Sequence, residues 1–288
     1  MDYVAHFTRE VTAFEAAART AARADTAPAV PSCPGWVATD LILHLGRVHR
    51  FLVRVIGGRL QEEPSLEDDW AWLELPGECA DWLPPAHAPQ DAAVPSGLAG
   101  WFGAGAAQLR EQFLTAGPDE PVWTWSTDHS VGFWQRMQAI EAAVHRWDAD
   151  NAVGQAQPID AELAADAVGQ TFKVMAPMRR AYAQAPPGQG ERFLFRRTDG
   201  DGTWLVRFDG ANVEVSPGGP GDVEISGTAS DLMLFLWQRT GAERLGVRGE
   251  KSLLGRYFVL VPPLCGEAGQ ATSRRSTSPE AMASRTTA

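Results

Sequence analysis

The stretch FWQRMQAIEAAVHRWDAD, residues 133–150, decides how this chain folds. It contains neither Gly nor Pro and is rich in helix-forming residues, so it predicts a long helix. On that helix Glu141 and His145 stand one turn apart and leave the same face. A carboxylate and an imidazole so placed supply two of the three protein ligands of a catalytic zinc site, whose fourth position stays open to water or substrate. The third ligand has to come from another helix. The stretch therefore asks for a helical bundle with a metal site between its helices.

Upstream, residues 2–24 carry Val4, Phe7, Val11, Phe14 and Ala18 at alternating three and four spacing, which predicts a first amphipathic helix. The run PAVPSCPGW breaks it with prolines and a Gly and turns the chain at Trp36. A second helix is predicted over about 37–56. Val37, Leu41, Val48, Phe51, Leu52 and Val55 form its apolar arc, and His44 falls inside that arc, so His44 is expected to point at the core. His49 lies about 140° away around the wheel, at the edge of the arc, so the two histidines of HLGRVH cannot both face one ion. His44 is thus the expected third ligand. Residues 97–115 read as a third helix, weakened by Gly103 and Gly105.

Between the second and third helices, EEPSLEDDWAWLELPGECADWLPP is acidic and holds three of the eleven tryptophans. A connection this long reads as a pocket wall or lid, or more plainly as a surface loop with a short helix. PVWTWSTDHSVG, before the fourth helix, reads as a turn or a brief extended segment.

Beyond Asn151 the pattern changes. Residues 160–183 predict another helix with an Asp at its N-terminus. ERFLFRR, GTWLVRF, ANVEVS and DVEISG then read as strands, separated by DGDG, DG and PGGPG, which are hairpin signals. Antiparallel sheet follows from this. ASDLMLFLWQRTG predicts a helix packed on the sheet, capped by Ser230 or Asp231. The expected fold class is α+β with two domains: a four-helix bundle over 1–153 and an α+β domain with antiparallel sheet over 158–264. The tail 266–288 is small and polar and is expected to be disordered.

Composition narrows the function. With 288 residues, of which 44% are apolar, the chain can bury a core in each domain. A net charge of -11 repels a phosphate backbone, which argues against nucleic acid as a partner. The three cysteines, Cys33, Cys79 and Cys265, show no CxxC spacing, so neither a disulfide framework nor a thiolate zinc site is expected, and a reducing cytoplasm fits. No apolar run approaches the roughly 18 residues of a membrane span. A small molecule is the expected partner.

Each signal has a plainer reading. A Glu and a His at this spacing are commonly a solvated ion pair, and an inward histidine is commonly a hydrogen-bonded core residue. Taken together they are more specific, because three buried polar groups in one bundle are costly unless paired or metallated. Cys33 reads as a nucleophile at a helix N-terminus or as a packed loop residue. Asp128 and His129 read as an acid–base pair or as part of a helix cap.

VPSCPGWVATDLILHLGRVHRF and QRMQAIEAAVHRWDAD resemble the mycothiol-dependent maleylpyruvate isomerase family, a branch of the DinB-like metal-binding four-helix bundles. The C-terminal half is similar to the sterol-carrier-like α+β domain that accompanies the bundle in that family. The resemblance implies a zinc ion, or another divalent metal, held by His44, Glu141 and His145. It further implies an arginine from the C-terminal domain, here Arg239 in LFLWQRTG, reaching toward the site as a catalytic residue that holds a substrate carboxylate or the thiol. The implied cosubstrate is mycothiol, a low-molecular-weight thiol. A cation with two neutral imidazoles and one carboxylate carries a net charge near +1 and would bind a thiol as its thiolate. The thiolate then attacks a small electrophile, giving either S-transfer or cis–trans isomerisation. Two other classes compete: a zinc hydrolase using metal-bound water, and a non-catalytic protein binding a lipid or other small molecule in its C-terminal domain.

Overall fold

The computed structural model describes residues 1–64, 71–79, 82 and 88–263. Much of the acidic tryptophan-rich segment and the tail expected at 266–288 fall outside these. Four long helices occupy the first half: α1 (Tyr3–Ala21), α2 (Ala38–Gly57), α3 (Leu98–Thr115) and α4 (Val131–Ala152). Asp2 caps α1 by accepting from the backbone of Ala5 at 2.9 Å, and Phe7, Val11, Phe14 and Ala18 form its buried stripe. Asp40 closes the start of α2, accepting from the backbone of Val37 and Ala88, each at 3.0 Å, and so ties the helix to the loop before α3.

Of the two glycines that weaken a helix reading of α3, Gly105 is explained by its packing on α2, and Gly103 by α1, since a Cβ there would meet the Glu15 carboxylate. Arg50 lies over the ring of Trp101 at 4.1 Å, and the Trp101 indole donates to the carbonyl of Leu73 at 2.8 Å. A Cβ on Gly105 would collide with the Arg50 guanidinium, and one on Gly46 with the Trp101 ring. Glycine is what lets the two helices close on an arginine and a tryptophan.

Helix α4 is buried on nearly all sides, although its sequence is polar. Its start is fixed by Ser130, whose hydroxyl accepts from the backbone of Phe133 at 3.1 Å and donates to Asp128 at 2.6 Å. Asp128 therefore belongs to a helix cap. The buried charges on α4 are each paired, as burial demands. Arg146 donates to Glu10 of α1 at 2.9 Å and to the carbonyls of Gln157 and Pro158, which anchors the chain as it leaves the bundle. Arg136 lies near the Tyr3 ring, and Arg146 meets Glu10, so α1 and α4 run side by side in the same direction.

In the second half, α5 (Ala161–Gln170) passes through a π-helical turn (Thr171–Met175) into α6 (Ala176–Tyr182). The strands are β1 (Gly188–Arg197), β2 (Thr203–Gly210), β3 (Asn212–Ser216), β4 (Val223–Gly227) and β5 (Gly246–Gly249), with α7 (Ala229–Leu236) before β5 and α8 (Leu253–Leu260) after it. They form one sheet in the order β3-β2-β1-β4-β5. The sheet is antiparallel as expected in three of its four pairings, and β1 and β4 pair in parallel. PGGPG is not a hairpin turn: it carries the chain from the edge strand β3 across to β4, on the far side of β1. The cap of α7 also lies earlier than expected, two residues before Ser230: it is Thr228, which accepts from the backbone of Asp231 at 3.1 Å.

One face of the sheet, from Phe193, Phe195, Val206, Phe208, Val223 and Ile225, is buried. Tyr257 of α8 sits among Phe172, Phe193, Phe195 and Phe208, with ring centroids between 5.4 and 6.5 Å apart. The other face is charged, with cross-strand pairs Arg196–Glu224 and Arg207–Glu214. The two halves are joined by charge-assisted bonds. Arg136 forks onto Asp166 of α5 with both bonds at 2.8 Å, and Arg239, just past α7, reaches Asp148 of α4. Among the described residues no helix is long and apolar enough to cross a membrane.

Candidate metal centre

Helices α2 and α4 bring His44, Glu141 and His145 together. One ligand atom from each lies within 4.8 Å of the other two, and His44 Nε2 is 3.5 Å from Glu141 Oε1. The rings of His44 and His145 meet edge to face with centroids 5.0 Å apart. Donors sharing one zinc with bonds of about 2 Å lie roughly 3.3 Å apart, so small side-chain rotations close the set around a cation.

Glu141 and His145 are in the protonation states a cation requires. Burial would raise the Glu141 carboxyl, but the hydrogen bond to His44, the two imidazoles and the Gln138 amide together hold it down to about 2, so it is ionised. Burial lowers the pKa of His145, which outweighs the opposing pull of Asp148 and keeps the ring neutral. His145 Nδ1 donates to Asp148 Oδ2 at 2.9 Å, which fixes the tautomer and leaves Nε2 with its lone pair free for a ligand.

Asp148 is the functional residue that sequence reasoning missed. It is fully buried, and its carboxyl is held well below the usual range because Arg239 and His145 outweigh the effect of burial. It accepts from the Ser32 hydroxyl at 2.6 Å, from Arg239 Nη2 at 2.9 Å and from Arg239 Nε at 3.1 Å. The Cys33 thiol lies 3.8 Å from the same carboxylate and 3.6 Å from Arg239 Nη2. The signal was present in HRWD, where His145 and Asp148 are three residues apart on one helix face. Arg239 is itself almost fully buried, and it also donates to the carbonyl of Trp237 at 2.9 Å.

Two expectations about α2 change. His44 does not point into the sealed core: 37% of its side chain is exposed, and it stands between the rings of Trp36, at 5.3 Å, and His145 on the open side of the centre. His49, assigned to the edge of the apolar arc, is the buried one. It is wholly enclosed between Phe7 and Phe102, each 5.3 Å away, and neither ring nitrogen has a hydrogen-bond partner among the described residues. The reason is that α2 packs on α1, α3 and α4 at once, so its buried arc is wider than its apolar arc.

Burial pushes the His49 pKa down to about 3, against about 6.5 in an unfolded chain. The unfolded state therefore gains a proton below pH 6.5 that the folded state refuses. Stability from this group is full above that pH and is lost as pH falls toward 3, at about 1.4 kcal/mol per unit. Urea unfolding at pH 7 and pH 5 should show His49→Leu losing about 2 kcal/mol less than the native chain over that interval. Equal losses would mean that His49 takes up its proton in the folded state.

No curated protein matches the chain in sequence. Crystal structures of the mycothiol-dependent maleylpyruvate isomerase and of a point mutant of it share its fold. Each is 14% identical, covers 86% of this chain and 92% of its own, and superposes with a TM-score of 0.53. The model of the mycothiol maleylpyruvate isomerase N-terminal domain matches residues 7–150, and that of the C-terminal domain of the same family matches residues 162–256. Two domain models in the right order over most of its length make this chain a member of the mycothiol maleylpyruvate isomerase family.

Proposed function

We propose that this chain is a zinc-dependent enzyme that uses mycothiol to isomerise a small cis alkene conjugated to a carbonyl, or to transfer the thiol onto such an electrophile. The observation that carries the reading is the convergence of His44, Glu141 and His145, with His145 locked as the neutral Nδ1–H tautomer by Asp148. His44, Glu141 and His145 would hold the cation. When bound, it lowers the pKa of a thiol in its open position and so supplies a thiolate at neutral pH.

The chain's own residues keep that position usable. Asp148 orients His145, and Arg239 neutralises Asp148, so that a carboxylate persists in the interior. Arg239 acts as a positioning residue through the bonds of its guanidinium to Asp148, the Trp237 carbonyl and Cys33. Trp36 packs against the His44 ring at 5.3 Å and helps to hold its orientation. The reaction forms a carbon–sulfur bond and moves the alkene electron pair onto the conjugated carbonyl. The resulting single bond rotates, and expulsion of the thiolate restores the alkene in trans form. No electron is gained or lost. If expulsion does not occur, the α-carbon takes up the proton that the thiol gave up, and the thioether is the product.

The test is to load the protein with zinc, add maleylpyruvate with and without mycothiol, and follow loss of the cis alkene. Turnover should require the thiol and should fall more than about 100-fold in His145→Ala, since losing a ligand exceeds the effect of losing its outer partner. Regenerated thiol identifies isomerisation, and an accumulating thioether identifies transfer. Hydrolysis of chromogenic esters at the same rate with and without thiol, and no thiol-dependent loss of the alkene, would overturn the reading in favour of metal-bound water.

A further inference from the structure

We propose that Gln138 is a positioning residue for Glu141: its amide selects which carboxylate oxygen is presented to the two histidines. The inference rests on the metal reading above and extends it to a residue outside the ligand set. Gln138 lies three residues before Glu141 on α4, so the two side chains share a face. Its Nε2 donates to Glu141 Oε2 at 2.7 Å, while the other oxygen, Oε1, is the one 3.5 Å from His44 Nε2. The carboxylate is thereby divided between two tasks.

The amide cannot be reversed. A flipped amide would set its own carbonyl oxygen 2.7 Å from a carboxylate oxygen, acceptor against acceptor, so the donor end faces Glu141. What this orientation leaves behind is unusual. Gln138 is 1% exposed, and its Oε1 is buried without a hydrogen-bond partner among the described residues. A position needed only for packing would be filled better by Leu or Met, which bury no polar atom. The bond to Glu141 is the interaction that accounts for a glutamine here.

The arrangement repeats at the other ligand of α4. His145 is held by Asp148, three residues later, as Glu141 is held by Gln138, three residues earlier. Each ligand on this helix thus has one atom tied to a neighbour on the same face and one atom turned toward His44. Without the amide, Glu141 could rotate, present either oxygen or both, and intrude on the position that a thiol must enter.

The experiment uses Co²⁺ as the probe on the full chain. Gln138→Met keeps the length of the side chain and removes the donor; Gln138→Leu serves if the methionine variant folds poorly, with circular dichroism and thermal unfolding as the check. Co²⁺ affinity by chelator competition should fall about 10–100-fold, and the visible absorption of the saturated protein should change shape. The same substitution made in Glu141→Ala should alter Co²⁺ affinity by less than about twofold, because the residue it acts through is gone. Native affinity and an unchanged spectrum in Gln138→Met would overturn the proposal, as would an equal loss in both backgrounds. Glu141→Ala binding Co²⁺ as the native chain does would instead overturn the metal reading itself.

Discussion

Arg239→Met should destabilise the bundle by about 3–5 kcal/mol, the cost of leaving a buried charge without its partner. Asp148 has no exposed surface, and the guanidinium supplies three of its contacts within 3.2 Å, two to Oδ2 and one to Oδ1. Ser32 and His145 remain in the variant, but both are neutral donors, and neither cancels the charge. The carboxyl that Arg239 holds low would rise and take up a proton, and a protonated Asp148 no longer favours the Nδ1–H tautomer of His145. Metal affinity should therefore fall along with stability. Equilibrium unfolding in urea reads the first effect. Combining Arg239→Met with Asp148→Asn should recover a large part of the loss, because the pair is then removed together. A loss under about 1 kcal/mol for Arg239→Met alone would show that water reaches Asp148 and that the pair is not an interior one.

The same contact explains how much of the centre could be read from the chain. Glu141 and His145 are legible because a helix period fixes their relation, and the four long helices are legible for the same reason. Residues 133–150 carry most of that information. His44 was reached by a wheel that treats any inward direction as core, and a cavity between helices is inward without being sealed. That is why His44 is partly exposed, whereas His49, at the arc's edge, is enclosed by α1 and α3. Asp148 was hidden because a carboxylate on a helix reads as solvated unless its partner is known. Its partner, Arg239, lies 91 residues later, across the domain junction.

In the second half, local signals found β1 to β4 but not their order. The parallel pairing of β1 and β4 depends on where the chain returns after β3, and PGGPG is equally compatible with a hairpin or a crossover. GVRG, which forms β5, is too short and too rich in Gly to announce a strand, and it is held by pairing with β4. Helix α8 owes its position to Tyr257 and its four aromatic neighbours, which are distant in sequence. Gly103 and Gly105 were misleading in isolation, since their purpose lies in the Glu15 and Arg50 side chains opposite them.

The largest effect expected from any single change is loss of the cation when one of its donors is removed. His44 and Glu141 come from different helices and carry little of the fold: His44 is partly exposed, and among the described residues Glu141 bonds only Gln138 beyond the centre. Replacing either with Ala should leave the bundle folded and remove one of three ligands, and two protein ligands hold zinc far more weakly than three. Zinc content, measured by elemental analysis after exhaustive dialysis of the native chain, His44→Ala and Glu141→Ala side by side, is the direct reading. The native chain should retain about one zinc, and each folded variant less than about a tenth of that. Equal zinc in all three would mean that these side chains meet without holding a metal.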